Sequence, residues 1–359
     1  MLRVGIVGMG FGAAVHLPAF EAQNDVEVVA VADNGSGRAE ALAVKYGGKL
    51  RAFNDGVSLA AWDGIDIVSI AAPPGEQEVL VRAALVAGKH VLCEKPFCLG
   101  ANAANELTHL ALERRLTGAL FFEFRYDPGI KRLIEMVNAG EIGKVRHLAV
   151  TWQTSGALDP QRVWSWRHDA KQGGGIVIDW FIHVADYASR IIQSPVRSVW
   201  AQAATIVQER LDRNMVRRPV SAPDECDVVC EFESGVTAVF AVSNACRAPV
   251  GHRIEVSGDR GSIVFHHAPP FSASGRSLRL ARDNSEGTVV DCLLPNTDQF
   301  SDGRIAATAG LIADFISVLR GGCRPLLPTF ADGAVNWRII AAALAAVDDK
   351  RMHTIATTH

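Results

Sequence analysis

The chain has 359 residues, 48% of them apolar and 21% charged, and a formal net charge of −3. That length predicts two domains, and the composition excludes disordered and fibrous classes. A near-neutral balance gives no global attraction for nucleic acid or an anionic membrane surface, so neither is expected as a partner.

The first third alternates short apolar runs with helical patterns. Residues 4–7, 26–32, 65–71, 91–93 and 118–122 read as strands, unbroken rather than alternating, as in a parallel sheet covered on both faces. Residues 76–87 and 102–115 read as helices between them, with Gly88 stopping the first. Repeated β-α units predict a doubly wound sheet. Near residue 125 the pattern changes. Asp127-Pro128-Gly129 punctuates the chain and residues 130–139 form one more amphipathic helix. Residues 146–153, 196–208, 225–233, 236–245, 253–258 and 262–266 then alternate in polarity, which predicts an α+β domain with a mostly antiparallel sheet. Glu233-Ser234-Gly235 reads as a hairpin turn, residues 268–276 and 294–304 as loops, and residues 333–348 as an apolar helix packed on both sides.

The seven cysteines (Cys93, Cys98, Cys226, Cys230, Cys246, Cys292 and Cys323) are scattered, with no C-x-x-C pair. They read as small buried thiols of a cytoplasmic protein, and no metal site is predicted. The N-terminus carries no basic segment followed by an apolar one, so no secretion signal is expected. No uncharged apolar run of about 18 residues is apparent, so no membrane span is expected either.

Three motifs carry chemistry. Gly8-Met9-Gly10-Phe11-Gly12-Ala13 follows the first strand and opens a helix. Gly8 permits the tight turn, Gly10 lets the backbone approach a pyrophosphate, and Ala13 lets the helix lie close to the sheet. Asp33 ends the second strand, where an acid accepts hydrogen bonds from a ribose. The pattern predicts a bound dinucleotide. Asp33 favours NAD over NADP by repelling a 2′-phosphate; Arg38 is either a solvated helix-start residue or a partner for that phosphate, which keeps NADP open. The second motif, Cys93-Glu94-Lys95-Pro96, lies at the carboxyl end of a strand, where ligands of open α/β sheets bind. The Lys95 ammonium there can stabilise a developing alkoxide. Third, Gly173-Gly174-Gly175 precedes a helix on which Asp179 and His183, four apart, share a face. A carboxylate beside a histidine is the pairing a general base requires. Asp186 is a second possible neighbour of His183.

The combination resembles the Gfo/Idh/MocA dehydrogenase family over nearly the whole chain, on Gly8–Ala13, on residues 87–96 and on the Gly-rich D-x-x-x-H segment. That resemblance implies a Rossmann domain at 1–123, a substrate and oligomerisation domain at 124–330, and a last helix at 331–359 returning towards the first. It also implies a homodimer or homotetramer and a cis Lys95–Pro96 bond. It assigns catalysis to Lys95, Asp179 and His183. Cofactor binding falls to Gly8, Gly10, Phe11, Gly12, Asp33, Arg38, Ala72, Pro73, Glu94 and Lys95. Substrate binding falls to Glu123, Arg125, Trp166 and Arg167, with Trp164 and His168 beside them. Two departures stand out: Pro74 and Gln77 replace the Asn and His usual after Ala71-Ala72-Pro73, and Glu123 replaces a neutral residue. The expected activity is hydride transfer between a secondary alcohol of a sugar, polyol or cyclitol and NAD(P). An NAD-dependent glycoside hydrolase and a non-catalytic nucleotide sensor of the same fold are the rivals.

Overall fold

Unbroken apolar strands need cover on both faces, and the N-terminal sheet supplies it. The computed structural model describes residues 1–269, 271, 275–282, 289–291 and 302–355. Six parallel strands, β1 (Leu2–Val7), β2 (Val26–Ala32), β3 (Arg51–Phe53), β4 (Ile67–Ile70), β5 (His90–Cys93) and β6 (Gly118–Leu120), run in the order β3-β2-β1-β4-β5-β6. All four residues of β4 are buried, which explains its lack of alternation. Between the strands lie α1 (Leu17–Glu21), α2 (Arg38–Lys45), α3 (Gly56–Ala61), α4 (Pro74–Val86) and α5 (Ala101–Glu113). The strand order reverses between β1 and β4, so the carboxyl ends of these strands flank the topological switch point where α/β sheets bind ligands.

Helix α6 (Pro128–Asn138) begins the second unit. Asp127 caps it, accepting from the Gly129 and Ile130 amides at 2.9 and 3.3 Å, and Pro128 takes the first helical position. The strands that follow are β7 (Val145–Gln153), β8 (Val196–Ala204), β9 (Glu209–Leu211), β10 (Arg217–Pro219), β11 (Glu225–Phe232), β12 (Thr237–Ser243), β13 (Gly251–Gly258), β14 (Gly261–His267), β15 (Arg276–Arg282) and β16 (Val289–Asp291). Strands β9 and β10 form a separate hairpin, and the rest join a nine-stranded sheet that ends on a short C-terminal strand. Every pair in it is antiparallel except β7 with β12. In β11 alternate residues are buried, so this sheet has one packed face, against which α6 and α7 (Ile182–Ile192) lie.

The partition of the chain differs from the expected 124–330 and 331–359 segments. Residues 1–126 and 299–335 group as one unit, and 127–298 with 336–359 as the other. The reason is α8 (Gly303–Leu319), which starts where a loop through residue 304 was expected and is capped by Asp302. Its Leu311, Ile312 and Phe315 are buried with Val4, Ile6, Val15 and Phe20 in one apolar cluster. Helix α9 (Phe330–Asp349) opens in the first unit, where Phe330 stacks on Phe97 at 4.9 Å and fills the space left by Gly118. Its later residues belong to the second unit: Asn336 donates to Asp186 at 3.0 Å, and β17 (His353–Thr354) pairs with β8. By length and composition α9 reaches the threshold for a membrane span, and half of that apolar window is buried inside the protein.

Cys93, Cys98, Cys226 and Cys230 are buried thiols, whereas Cys246 is half-buried and Cys323 exposed, contrary to the uniform burial expected. Cys292, most of the loop predicted at 294–304, and residues 270 and 272–274 of the loop at 268–276 lie outside the described residues.

Candidate active site

The glycine turn is shaped by three separate needs. Gly8 has φ +101°, and a Cβ on it would stand 2.5 Å from the Ala71 carbonyl oxygen. Gly10 has open space where a side chain would sit, and Gly12 packs on Ile6 and Ala71. The close approach of helix to sheet therefore belongs to Gly12, not to Ala13, which is half-buried. Beyond the turn the backbone forms a π turn, Gly12–His16, before α1. Phe11, half-buried at the turn, carries the Arg304 guanidinium over its ring at 4.9 Å.

Asp33, expected to face a ribose, is already engaged at the start of α2. Its Oδ2 accepts from Ser36 Oγ (2.7 Å), Arg38 N (2.6 Å) and Ala39 N (3.1 Å), while among the described residues Oδ1 accepts only from Gly35 N (2.9 Å). Oδ1 thus keeps acceptor capacity for a ribose hydroxyl. Burial alone would raise the Asp33 pKa, but these hydrogen bonds outweigh it and hold the carboxyl below its usual range. Arg38 Nε donates to Ser36 Oγ at 2.9 Å.

The Lys95–Pro96 bond is cis, and the loop carrying it is tied down by Gln77. Gln77 is 1% exposed; its Nε2 donates to the Ala72 carbonyl (2.9 Å) and lies 3.5 Å from that of Lys95, and its Oε1 accepts the Phe97 amide (2.8 Å). The residue that replaces the expected His thereby joins the loops after β4 and β5. Glu94 is positioned by His16, whose Nε2 lies 3.2 Å from Glu94 Oε1 and whose Nδ1 lies 3.0 Å from Ser69 Oγ. The His16 ring stacks on Phe121 at 3.9 Å, and complete burial pushes its pKa down to about 3. The ring is neutral at pH 7. With Glu94 ionised, the proton belongs on Nε2 and Ser69 donates to Nδ1.

Glu123, which opens a 3-10 turn (Glu123–Tyr126) after β6, is the other carboxyl here. Burial first, and then the charge of Glu94, raise its pKa to about 8 against the pull of Lys95 and Arg304. At neutral pH the Glu123 carboxyl therefore keeps its proton. Arg125, expected on the substrate, is 1% exposed; its Nη1 lies 3.2 Å from the Leu326 carbonyl and 3.5 Å from Asp332 Oδ2. That placement makes it a brace between β6 and the start of α9.

In the second unit, Gly173 and Gly175 take φ of +80° and +101°, and a Cβ on Gly174 would stand 2.5 Å from the Trp166 carbonyl oxygen. The helix predicted after them begins as a π turn, Val177–Phe181, and becomes α7 at Ile182. Asp179 thus sits in the π turn and His183 in the first turn of α7. Such turns are found disproportionately at functional sites. Asp179 Oδ2 pairs with Arg167 Nε at 3.4 Å, and the Arg167 guanidinium lies over Trp166 at 4.3 Å. His183 is buried, its ring 6.4 Å from that of Trp152. Trp152 stacks on Trp180 (4.5 Å) and His252 (4.8 Å), and His252 Nε2 lies 2.8 Å from the Tyr187 hydroxyl. Asp186, the alternative neighbour of His183, accepts from Asn336. Trp164 donates to the Pro219 carbonyl, and His168 Nδ1 accepts the Ser165 amide.

Sequence reasoning missed His16, Trp152 and His252, and marked Gln77 only as a departure from the family pattern. For Trp152 a signal existed: it shares the parity of the buried Leu148 and Val150 in β7, hence the helix-covered face.

The doubly wound first unit, with a glycine turn at its switch point, defines a dinucleotide-binding protein. Residues 2–121 match the model of an oxidoreductase family with an NAD-binding Rossmann fold, and residues 130–264 match a GFO/IDH/MocA C-terminal domain. The chain belongs to the GFO/IDH/MocA family of oxidoreductases. It is 28% identical over 357 residues to an inositol 2-dehydrogenase of Rhizobium meliloti, covering 99% of each chain. It is 30% identical over 333 residues to an uncharacterized oxidoreductase of Synechocystis, covering 88% of this chain and 86% of the relative. Its fold matches a putative myo-inositol dehydrogenase from Sinorhizobium meliloti with a TM-score of 0.78 at 27% identity, over 99% of this chain and all of that one. The residues present fit NAD: Gly10 leaves clear the space that a Cβ would take from a pyrophosphate, and Asp33 keeps an acceptor oxygen. The protein is an NAD-binding oxidoreductase.

Proposed function

We propose that the protein oxidises a secondary alcohol of a sugar, polyol or cyclitol. The observation that carries the reading is the fixed Glu94-Lys95-Pro96 loop, locked by Gln77 and His16 at the carboxyl end of β5. Family membership and the inositol dehydrogenase among the relatives support the substrate class. Bound NAD supplies the hydride acceptor. His183 takes the hydroxyl proton as the carbinol C–H bond breaks and the carbonyl forms. Asp179 orients the imidazole and favours its charged form. The Lys95 ammonium stabilises the oxygen as it gains negative charge.

The test is absorbance at 340 nm with NAD and, separately, NADP, across inositols, sugars and polyols. Lys95→Ala and His183→Ala should each lower kcat by about 100-fold or more, with NAD affinity retained. Near-normal turnover in either variant refutes its role. Released sugar without net NADH would indicate glycoside hydrolysis instead, and cofactor binding without any turnover would indicate a sensor.

A further inference from the structure

A small open cavity of about 40 Å³ lies wholly within the second unit, and Asp179 forms part of its wall. Three guanidinium groups share that wall: Arg162, Arg167 and Arg210. They come from separate places in the chain, and their charges are only partly met. Arg167 pairs with Asp179. Asp224, the second carboxylate of the wall, accepts the Ile206 and Val207 amides at 2.8 and 3.1 Å. Arg210 is 7% exposed and is held by neutral acceptors, the carbonyl oxygens of Ala157, Asp159 and Arg162. Its Nε–H has no hydrogen-bond partner among the described residues. Within those residues no carboxylate comes within ion-pairing distance of Arg162 or Arg210.

Asp159 acts on both cations, and Asp179 and Asp224 on one each, only at longer range; without a carboxylate at pairing distance the almost fully buried Arg210 is costly unless an anion comes closer. The field they create is visible on their neighbours. Burial, then Arg210 and Arg167, lower the proton affinity of Arg162. Burial, then Arg210 and Arg162, push the His168 pKa down to about 4. A neutral His168 adds no charge of its own at pH 7, so the wall holds three fixed cations against two carboxylates.

We propose that this cavity receives an anionic group of the substrate, a carboxylate or phosphoryl group held by Arg162 and Arg210, so that the enzyme acts on an acidic sugar derivative. Either group can accept from the Arg162 guanidinium and from the one unpartnered Arg210 donor, Nε–H, because each carries at least two acceptor oxygens. The inference rests on the dehydrogenase reading for what happens to the sugar, and on the cavity alone for what is bound. Asp179 ties the two, since it lines the cavity and is also the residue assigned to orient His183.

The experiment is calorimetric binding to the NAD-loaded full chain of glucose, glucuronate, glucose 6-phosphate and inorganic phosphate, repeated with Arg162→Gln and at raised salt. One acidic sugar should bind at least tenfold tighter than glucose, and whichever wins identifies the carboxylate or the phosphoryl group. Arg162→Gln should remove most of that preference while glucose binding changes less than twofold. Arg162 is half-buried, so this variant keeps the test valid if Arg210→Met fails to fold. Equal affinity for acidic and neutral sugars, with no phosphate binding, overturns the proposal; so does a preference that survives Arg162→Gln. Binding of an acidic sugar without NADH formation would support the anion site and count against the dehydrogenase. NADH from neutral sugars with no acidic preference would do the reverse.

Discussion

Gln77 Oε1 accepts the backbone amide of Phe97 at 2.8 Å, although the two residues lie on different crossovers of the sheet. Together with the Ala72 contact, this makes one buried amide the fastener of the Lys95 loop. Replacing Gln77 with Leu leaves the Phe97 N–H and the Ala72 carbonyl without this partner and should cost about 1–3 kcal/mol. Urea denaturation measures that loss. Turnover at saturating substrate should fall more than NAD affinity does, because the displaced group is Lys95.

The Glu123 carboxyl retains its proton up to about pH 8 in the folded protein, whereas an exposed glutamic acid loses it near pH 4.5. Between those values folding takes up a proton, so this contribution to stability is full below about pH 4.5 and declines as pH rises to about 8. In Glu123→Gln that decline should vanish. Denaturation midpoints at pH 5, 7 and 9 should show the variant gaining on the natural protein at each step.

Asp33 behaves with the opposite sign. Its folded pKa lies below the unfolded value near 3.8, so its contribution is present above that value and is lost as pH falls through the folded pKa. Asp33→Ala, which also removes the bonds to Arg38 N and Ala39 N at the start of α2, should cost about 1 kcal/mol at pH 7. The deficit should shrink below about pH 4, as followed by thermal unfolding.

Arg125 should prove a stability residue. Arg125→Met removes a buried cation from Asp332 and from the Leu326 carbonyl, and a loss of about 3 kcal/mol is expected. Sugar affinity of the surviving folded enzyme should stay within twofold; a large rise in KM without loss of stability would return Arg125 to the substrate.

Much of the fold was legible because it is local. The run 26–32 coincides with β2, and the glycine turn, α4 and the strands of the second sheet follow patterns of period 2 or 3.6. Helix α8 was hidden because the polar stretch before it reads as continuing, and its apolar residues face partners nearly the whole chain away. The π turns at 12–16 and 177–181 have the apolar pattern of ordinary α-helix, so composition cannot distinguish them. Among the candidate residues, Lys95, Asp179 and His183 stood out as residue types in motifs. Gln77 acts through two backbone groups, and the Arg162–Arg210 pairing depends on tertiary placement, so neither leaves a pattern in the chain.

The cluster that joins Val15 and Phe20 to Leu311, Ile312 and Phe315 also sets when the first unit can be completed during synthesis. Domains generally fold as units once their chain has emerged. The unit that begins at Met1 must here wait for α8, so the half that starts first on the ribosome is completed after nearly all of the other half has been made. A chain cut upstream of Gly303 would accordingly lose part of its nucleotide-binding half and not merely a tail.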